Sequence, residues 1–487
     1  MSNLPSCVYS VAQVRELEQK TIHHHNVPSL ELMTRAGLAV FGHLRGLWPN
    51  AQKIVVFCGA GNNAGDGYIV ASLARQAELT VTVFSVVNPQ TLKGDALEAY
   101  QHYLKMGGVI TEINTIEPIE ADVIVDALLG TGLNKSVSGQ FEQAIWQINT
   151  SRIPVIAVDV PSGLNADTGR VMGHAVHASC TVTFIGLKKG LLTGQATDYC
   201  GQIFYDSLEV PESVFAEVPC NLYRVKRSNL PQRMKYSYKT NYGHVLVIGG
   251  DLGYSGAARL AGEAALRVGA GLVSIATRKE HVSFMNVGRP ELMCHGIDSA
   301  SQLIGLLDKA SVIVLGPGLG CSPWAKELGV MAIDAGKPLV IDADGLLLLA
   351  HSHMVSARWI LTPHSGEAAR LLHCHVNDIE RDRFAAAKTI QDNYGGITVL
   401  KGPGSLIVSD HDIGIVNTGN PGMASGGMGD VLAGVIAGLL AQGFSPKNAA
   451  QQGVYLHGLA GDRAALQLSQ RGMLASDLML HLAELMA

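Results

Sequence analysis

The sequence is poor in charged and aromatic residues and lacks the cysteine motifs of metal and redox sites. Of its 487 residues, 16% are charged and 6% are aromatic, and the eight cysteines include no CxxC pair. Scattered cysteines of this kind indicate reduced thiols in a cytosolic protein. The formal net charge of −5 offers no basic field for nucleic acid or an anionic membrane. We therefore expect a cytoplasmic protein that binds small molecules and neither nucleic acid nor membrane.

Long apolar segments are also missing. The first ten residues have no basic start followed by an apolar stretch, and the longest apolar run, residues 431–444, contains glycines. That run is shorter than a membrane span. Hydrophobic residues make up 47% of the chain and glycines number 55, which suits buried parallel sheets joined by tight turns. A chain of this length exceeds what one hydrophobic core holds, so at least two domains are expected.

Hydrophobic patterning predicts two successive α/β domains. After a helical opening over residues 11–48, short apolar runs alternate with helix-length segments, as in parallel sheets. The first domain is expected over residues 1–222, a basic linker over 223–242 and the second domain over 243–487. The predicted strands are 53–58, 79–86, 122–128, 154–158 and 180–185, then 244–249, 273–276, 312–315, 339–342, 359–362, 397–401 and 406–409.

A glycine-rich turn, residues 59–67, follows the first predicted strand and precedes a helix. Small residues there let a phosphate or ribose approach the backbone, and the helix N-terminus attracts an anion. Glycines alone would serve simple helix packing equally well. The polar residues Asn62, Asn63 and Asp66 favour a binding site over a purely structural turn.

Two further strand ends carry polar groups. Residues 126–134 begin with Asp126, and residues 159–165 contain Asp159 and Ser162. Because ligands bind at the carboxyl ends of strands in open α/β sheets, we expect these loops to converge with the glycine-rich turn at one edge. Oxygen donors from Asn63, Asp126 and Ser162 would suit potassium or another hard cation.

Together these three loops resemble the epimerase domain of NAD(P)H-hydrate repair enzymes, over roughly the first 220 residues. The resemblance implies that Asp159 moves the proton and that Asn63, Asp126 and Ser162 hold potassium. Ala64 stands where many relatives have glycine, a change of one methyl group that is acceptable unless φ is positive there. The residues implied to bind the hydrated nucleotide are Asn62, Asn63, Ala64, Gly65, Asp66, Gly130, Thr131, Gly132, Leu133, Asn134, Lys135, Ser136 and Asp159.

The strongest motif is the glycine-rich stretch 424–434, which contains Asp430 at the start of an apolar helix. Its backbone N–H groups would form an anion hole for a transferring phosphoryl group, and Asp430 would act as base on a hydroxyl. Helix capping would also explain an aspartate there. The pattern resembles the ribokinase-like fold, which includes sugar and vitamin kinases as well as ADP- or ATP-dependent NAD(P)H-hydrate dehydratases.

Five further segments, read in order, resemble the dehydratase: residues 249–257, 290–293, 316–320, 362–367 and 401–405. A structural role is the alternative for His364, and a solvated strand end is the alternative for Lys401. The run 23–25 of three histidines is interpreted as surface. By the resemblance, Ala257, Gly318, His364 and Asp430 bind the hydrate, and Lys401, Gly402, Pro403, Gly404, Ser405 and Gly429 bind the nucleotide.

The two resemblances together imply a repair enzyme for hydrated NADH and NADPH (NADHX and NADPHX). The first domain would interconvert R and S epimers, and the second would dehydrate the S form with ADP, giving AMP and phosphate. Magnesium would accompany the nucleotide, and ATP is an alternative donor. A vitamin or sugar kinase with a non-catalytic nucleotide-sensing first domain is the competing hypothesis. The sequence leaves open whether the chain forms a homo-oligomer.

Overall fold

The computed structural model describes residues 4–112 and 119–487. The chain divides into two compact units, Met1–Tyr223 and Arg224–Ala487. Each unit contains a sheet with helices, so the predicted α/β class is confirmed. The boundaries proposed for a linker between the domains stay predictions. Among the described residues, no helix is long and apolar enough to cross a membrane.

The first unit alternates helices and strands from its start. Its helices are α1 Val11–His24, α2 Ser29–Leu47, α3 Asn62–Gln76, α4 Gly94–Lys105, α5 Gln140–Ser151, α6 Ala196–Tyr199 and α7 Glu212–Glu217. Its strands are β1 Lys53–Cys58, β2 Thr80–Ser85, β3 Ile110–Glu112, β4 Val123–Ala127, β5 Val155–Val158, β6 Cys180–Phe184 and β7 Gln202–Asp206.

The predicted helical opening over residues 11–48 is confirmed, and it consists of two helices. α1 ends at His24, and α2 begins at Ser29 after Pro28. Proline lacks an N–H donor and disfavours helical backbone in the residue before it. Asn26 takes a left-handed conformation with φ 53°. The chain therefore turns between the helices.

The first sheet places three functional loops side by side. Its order is β3-β2-β1-β4-β5-β6-β7, and every neighbouring pair is parallel. Successive side chains of β1 enter different cores: Val56 packs in one cluster, and Val55 and Phe57 pack in the other. Helices thus cover both faces, as expected of a buried parallel sheet. The carboxyl ends of β1, β4 and β5 lie next to one another.

The second unit is larger. Its strands, preceded by the boundary strand β8 Leu222–Arg224, are β9 His244–Ile248, β10 Leu272–Thr277, β11 Met293–Gly296, β12 Val312–Leu315, β13 Leu339–Ile341, β14 Trp359–Leu361, β15 Ile397–Leu400, β16 Ser405–Val408 and β17 Ile413–Val416. Its helices are α8 Ser255–Arg267, α9 Val282–Met285, α10 Ile304–Lys309, α11 Pro323–Asp334, α12 Asp344–His351, α13 Ser365–Leu371, α14 Val376–Arg381, α15 Arg383–Tyr394, α16 Met428–Ala441, α17 Pro446–Leu468 and α18 Leu478–Leu485.

The second sheet has the order β11-β10-β9-β12-β13-β14-β15-β16-β17-β8. Neighbouring strands from β11 to β15 are parallel, and β16 pairs antiparallel with both β15 and β17. The motifs after β9, β12, β14 and β15 consequently lie along one edge. The sequence did not predict β3, β7, β8, β11 and β17, which include the outermost strands of both sheets and carry weaker apolar patterns.

Helix α16, which begins at the glycine-rich stretch, is almost wholly buried and packs on α8. Two of its glycines make the close approach: a β-carbon on Gly434 would collide with the carbonyl oxygen of Ala261, and one on Gly438 would lie 2.7 Å from the carbonyl oxygen of Ala265. The absence of side chains at these positions lets α16 lie directly against α8.

We predict that Gly434→Ala destabilises the protein, although alanine favours helix by about 1 kcal/mol. The added methyl must push α16 away from the Ala261 carbonyl, at a cost of about 1–3 kcal/mol for overpacking. Urea unfolding measures the difference. Gly305→Ala is the matched control, since Gly305 lies in α10 and its β-carbon would meet no atom within 4 Å. Equal stabilisation by both changes would contradict the packing argument.

Candidate active sites

The first site is a pocket of about 560 Å³ at the carboxyl edge of the seven-stranded sheet. The N-terminus of α3, the loop after β4 and the turn after β5 all contribute to its lining. The predicted convergence of three polar loops is therefore confirmed. The predicted hydrate-binding residues that line the pocket are Asn62, Asn63, Asp66, Gly130, Thr131, Gly132, Leu133, Asn134, Lys135 and Asp159.

Three predicted hydrate-binding residues lie away from the pocket lining. Ala64 and Gly65 are buried in α3, where a β-carbon on Gly65 would meet the Met33 sulfur at 2.5 Å. Ser136 is exposed in the loop after β4, outside the pocket lining. Because Ala64 lies within a regular helix, its methyl group requires no left-handed backbone. The role assigned to these three residues stays a prediction.

Asp159 is held in a strained, firmly bonded turn. Its φ is 64°, in the left-handed region that non-glycine residues rarely adopt. Its Oδ1 atom accepts hydrogen bonds from Thr183 Oγ1 at 3.1 Å, from the Phe184 backbone N–H at 3.3 Å and from Lys188 Nζ. Lys188 is 1% exposed. The pocket thus contains a buried ion pair that the sequence analysis did not predict.

Two other carboxyl groups face the same pocket. Burial, followed by the charges of Asp159 and Glu18, raises the pKa of Asp66 well above its usual value. Burial also raises the pKa of Glu18, against the opposing charge of Lys188. Both residues line the pocket with Asp159. Acids whose pKa values are raised in a pocket are candidates for proton transfer to a substrate.

Two of the predicted potassium ligands, Asp126 and Ser162, are buried and hydrogen-bonded to each other. Ser162 donates through its hydroxyl to Asp126 Oδ1 at 2.6 Å and through its backbone N–H to Oδ2 at 2.8 Å. Burial raises the pKa of Asp126 to about 6, and those hydrogen bonds oppose the rise. A β-carbon on Gly130 would lie 3.3 Å from Asn63 Oδ1. The structure brings the three predicted ligands to one region.

Two details of this cluster fit a monovalent cation. The Asp126 carboxyl is fully buried and forms no ion pair with a lysine, arginine or histidine among the described residues; only hydrogen bonds oppose the rise of its pKa. The buried Asn63 Nδ2 atom has no hydrogen-bond partner among the described residues, and rotation of the amide would present its oxygen at that position. A hard cation would balance the negative charge of the Asp126 carboxylate and would be coordinated by these oxygen atoms.

The second site lies at the N-terminus of α16. Gly427 is the N-cap, in a left-handed conformation with φ 90°, and Asp430 lies in the first turn of the helix. The capping alternative for Asp430 is therefore wrong. Burial, then repulsion from Asp342, raises the pKa of Asp430 to about 7, and Lys401 opposes the rise. A carboxylate that titrates near neutrality is suited to accept a proton.

Lys401 connects Asp430 to two further acids. Its Nζ donates to Asp342 Oδ1 at 2.7 Å and lies 3.5 Å from Glu367 Oε2. The Lys401 side chain is 17% exposed, and Asp342 also accepts a hydrogen bond from Thr362 Oγ1 at 2.8 Å. The alternative of a solvated Lys401 is therefore wrong. A β-carbon on Gly429 would lie 3.2 Å from Lys401 Nζ, so glycine opens the space above the amine.

The predicted hydrate-binding residues Ala257 and Gly318 lie together. A β-carbon on Gly318 would be 3.1 Å from Ala257 Cβ, and Gly318 has a φ of 60°. His364 behaves differently: its Nδ1 accepts from the Gly366 backbone N–H at 2.9 Å, and its own backbone N–H donates to Glu367 at 2.8 Å. His364 thus caps α13 while its ring remains 59% exposed. Substrate contact by that ring stays a prediction.

The predicted nucleotide loop follows β15 directly. Gly402 and Gly404 adopt φ values of 140° and 61°. Ser405 Oγ donates to the Gly402 carbonyl oxygen at 2.9 Å and closes the turn. Gly402 and Pro403 are exposed. The loop therefore presents backbone groups next to the Lys401 amine, while contact with a nucleotide stays a prediction.

Four charged residues at these sites were not predicted: Glu18, Lys188, Asp342 and Glu367. Asp342 is the last residue of one predicted strand and Lys188 follows another, so a search for charges at strand ends would have found them. Glu18 lies in α1 and is brought to the pocket by tertiary packing, which no local pattern signals. No group of three His, Cys, Asp or Glu side chains among the described residues is arranged to hold a metal ion.

Comparison with known proteins gives matches over both halves. A family model described as "YjeF-related protein N-terminus" matches residues 29–190, and one described as "NAD(P)H-hydrate dehydratase" matches residues 245–483. A bifunctional NAD(P)H-hydrate repair enzyme from Coxiella burnetii is 47% identical over 98% of each chain. The enzyme of that name from Escherichia coli is 43% identical, over 98% of this chain and 93% of its own.

Two solved structures match the C-terminal half. A ribokinase-like superfamily protein from Enterococcus faecalis is 33% identical, covering 52% of this chain and 90% of its own, with a TM-score of 0.49. An ADP/ATP-dependent NAD(P)H-hydrate dehydratase from Bacillus subtilis is 30% identical, covering 52% and 92%, with a TM-score of 0.48. Given the full-length relatives, the chain belongs to the family of bifunctional NAD(P)H-hydrate repair enzymes.

Proposed function

We propose that this protein repairs hydrated NADH and NADPH through two reactions in separate units. The first unit interconverts the R and S hydrates, and the second dehydrates the S hydrate to NAD(P)H with ADP, giving AMP and phosphate. Its small-molecule partners are NADHX, NADPHX and ADP. The observation that carries the proposal is Asp430, a buried carboxylate at a helix N-terminus beside Lys401, with a pKa of about 7.

Dehydration requires a leaving group better than hydroxide. Asp430 takes the proton of the substrate hydroxyl as the terminal phosphoryl group transfers to that oxygen, and departure of phosphate then restores the ring double bond. The N–H groups at the start of α16 and the Lys401 ammonium stabilise the charge that develops on the phosphoryl oxygens. The remaining work is positioning, which is the usual protein contribution to phosphoryl transfer.

Magnesium is proposed to enter with the nucleotide. The described residues hold no preformed cluster of three metal-binding side chains, and Mg²⁺ is commonly bound through substrate phosphates with one or two protein carboxylates. Asp342 and Glu367, both near Lys401, supply oxygen donors of that kind. Magnesium, when bound, neutralises phosphate charge. ATP is an alternative donor.

Two competing functions are distinguished by their products. A vitamin or sugar kinase would use the same aspartate and anion hole but would release a stable phosphate ester. Release of inorganic phosphate with consumption of hydrate separates the dehydratase from the kinase. A sensing module without chemistry would not need the strained Asp159 and its buried Lys188 partner, so their presence supports catalysis in the first unit.

We predict that Asp430→Asn lowers S-hydrate dehydration at least about 100-fold, because the amide cannot accept the hydroxyl proton. Purified full-length protein is given mixed hydrate epimers and ADP, and the epimers are followed by chromatography that resolves them. Asp334→Asn, an exposed change in α11, is the matched control. Wild-type dehydration by Asp430→Asn would overturn the assignment.

The reciprocal change is Asp159→Asn in the same assay. It should leave S-hydrate consumption intact while R-hydrate persists, apart from spontaneous exchange between the epimers. Asp430→Asn should in turn retain epimer exchange when ADP is omitted. Equal loss of both reactions in either variant would mean that the two sites do not act independently.

The pKa of Asp430 sets a pH dependence for dehydration. As the base, Asp430 must be ionised, so the ionised fraction and kcat/KM rise as pH increases through about 7 and level off above it. Rates at subsaturating S-hydrate from pH 5.5 to 8.5 would measure this. Asp342→Asn removes the repulsion that raises the pKa and should move the rise to lower pH. A flat profile would contradict the role of Asp430.

Potassium is proposed for the cluster of Asn63, Asp126 and Ser162, where it would offset the buried carboxylate charge. We predict that exchanging KCl for LiCl lowers the epimerisation rate several-fold and lowers the unfolding temperature of wild-type protein, since a bound ion stabilises the folded state. Asp126→Asn should remove the dependence of unfolding temperature on the cation. Identical epimerisation and unfolding in both salts would count against a potassium site.

A further inference from the structure

The Asp159 carboxylate is bonded on one side only. Its Oδ1 atom accepts all three hydrogen bonds, from Thr183, Phe184 and Lys188. Its Oδ2 atom has no partner within the described part of the chain, and Asp159 lines the pocket. One oxygen is therefore fixed in the protein while the other is available to a substrate.

The Lys188 ammonium donates all its hydrogen bonds to groups of the protein. Besides Asp159, its ammonium donates to the Phe184 carbonyl oxygen at 2.8 Å and to Thr183 Oγ1 at 3.2 Å. An ammonium has three N–H donors, and these contacts use all of them. Lys188 is consequently fixed beside the Asp159 carboxyl group, with no N–H left for a substrate.

Asp66 differs from Asp159 in its hydrogen bonding. Its carboxyl group makes no hydrogen bond or ion pair with the residues that the structure describes, and it lines the pocket from α3, just after the first turn of that helix. Burial and the negative charges of Asp159 and Glu18 favour its protonated form, as the raised pKa indicates. The other charged residues of the lining are Arg15, Asp95 and Lys135. Asp66 is thus available as a proton donor.

The two aspartates reach the pocket from different elements. Asp66 lies in α3, which follows β1, and Asp159 lies in the turn after β5, with β4 between these strands. Strands β1 and β5 are thus about 9–10 Å apart, and both aspartates line the one pocket, so a ring bound there can meet both acids. The loop after β4 lines the pocket between them.

We propose that Asp66 and Asp159 form an acid–base pair on the two faces of the hydrated nicotinamide ring, with Lys188 as the positioning residue that holds the Asp159 carboxyl group. The inference rests on the epimerase role proposed above and assigns the proton donor, the proton acceptor and the residue that positions the acceptor.

In the hydrate, the hydroxyl is on the ring carbon bonded to the ring nitrogen. Asp66 donates its proton to that hydroxyl, the C–O bond breaks, and water leaves with the bonding electrons. The nitrogen lone pair forms a C=N bond and gives a planar cation. A second water attacks the other face, the C=N electrons return to nitrogen, and Asp159 takes the proton of the attacking water. One water leaves and one enters, and solvent protons then restore the starting pair.

The first experiment uses Asp66→Asn in the full-length protein, with R-hydrate as substrate and no ADP. The amide keeps the size of the side chain and removes the acidic proton, so kcat should fall at least about 100-fold. Asp198→Asn, an exposed change in the same unit, is the matched control. Dehydration of S-hydrate should stay unchanged and report that the protein is folded. A wild-type kcat for Asp66→Asn would overturn the proposal.

The role of Lys188 is tested by coupling to Asp159. Lys188→Met should lower kcat at least about tenfold with little change in KM, whereas Lys189→Met, its neighbour, should not. The double variant Lys188→Met with Asp159→Asn should be no slower than Asp159→Asn alone, because the ammonium acts only through that carboxylate. Additive losses would overturn the positioning role, and the Asp66 test remains informative if Lys188→Met fails to fold.

Epimerisation in H₂¹⁸O tests the bond that breaks. The product hydrate should carry one solvent oxygen for each exchange, and retention of the original oxygen would overturn the elimination step. These outcomes are separable from the proposed function. If wild-type protein does not interconvert the epimers, the epimerase role fails; if it does while Asp66→Asn remains fully active, only the acid–base pair fails.

Discussion

A buried lysine–aspartate pair at the carboxyl edge of a sheet organises each half of this protein. Lys188 bonds to Asp159 in the first unit, and Lys401 bonds to Asp342 in the second. Removing these charges from water is costly unless they are paired and further hydrogen-bonded. Thr183 and Thr362 supply such bonds to the two aspartates. Each pair therefore holds two opposite charges at a fixed place in its site, and the surrounding loops pack around them.

Each pair also influences a second acid. Asp66 and Asp430 both have raised pKa values, with burial as the main cause and a neighbouring aspartate as the next. The paired lysine opposes the rise in both cases but does not cancel it. Acids with separated protonation preferences are the basis of proton transfer at neutral pH. The two units thus use the same electrostatic device for the two different reactions proposed here.

Glycines make these centres accessible. Gly429 leaves open the space next to Lys401, and Gly130 leaves room beside the Asn63 amide. Gly434 and Gly438 lie in the packing between two helices. They let α16 lie against α8 and so fix the position of the α16 N-terminus. Any side chain at these positions would fill the space that close approach to the backbone requires. Glycine-rich turns therefore accompany both sites.

Sequence by itself determined the α/β class, most of the central strands, and the turns after β1, β4, β5 and β15, because buried strands and glycine turns have local patterns. It also found Asp159 and Asp430, which stand in such turns. Only the tertiary structure decided that Lys188, Glu18, Asp342 and Glu367 join them. Those contacts depend on strand order, and α1 brings Glu18 to a pocket formed by residues far along the chain. Strand order and packing between distant segments are not encoded in any local spacing. A charge at a strand end can be noticed in the sequence, but which charges pair with one another could not be predicted from it.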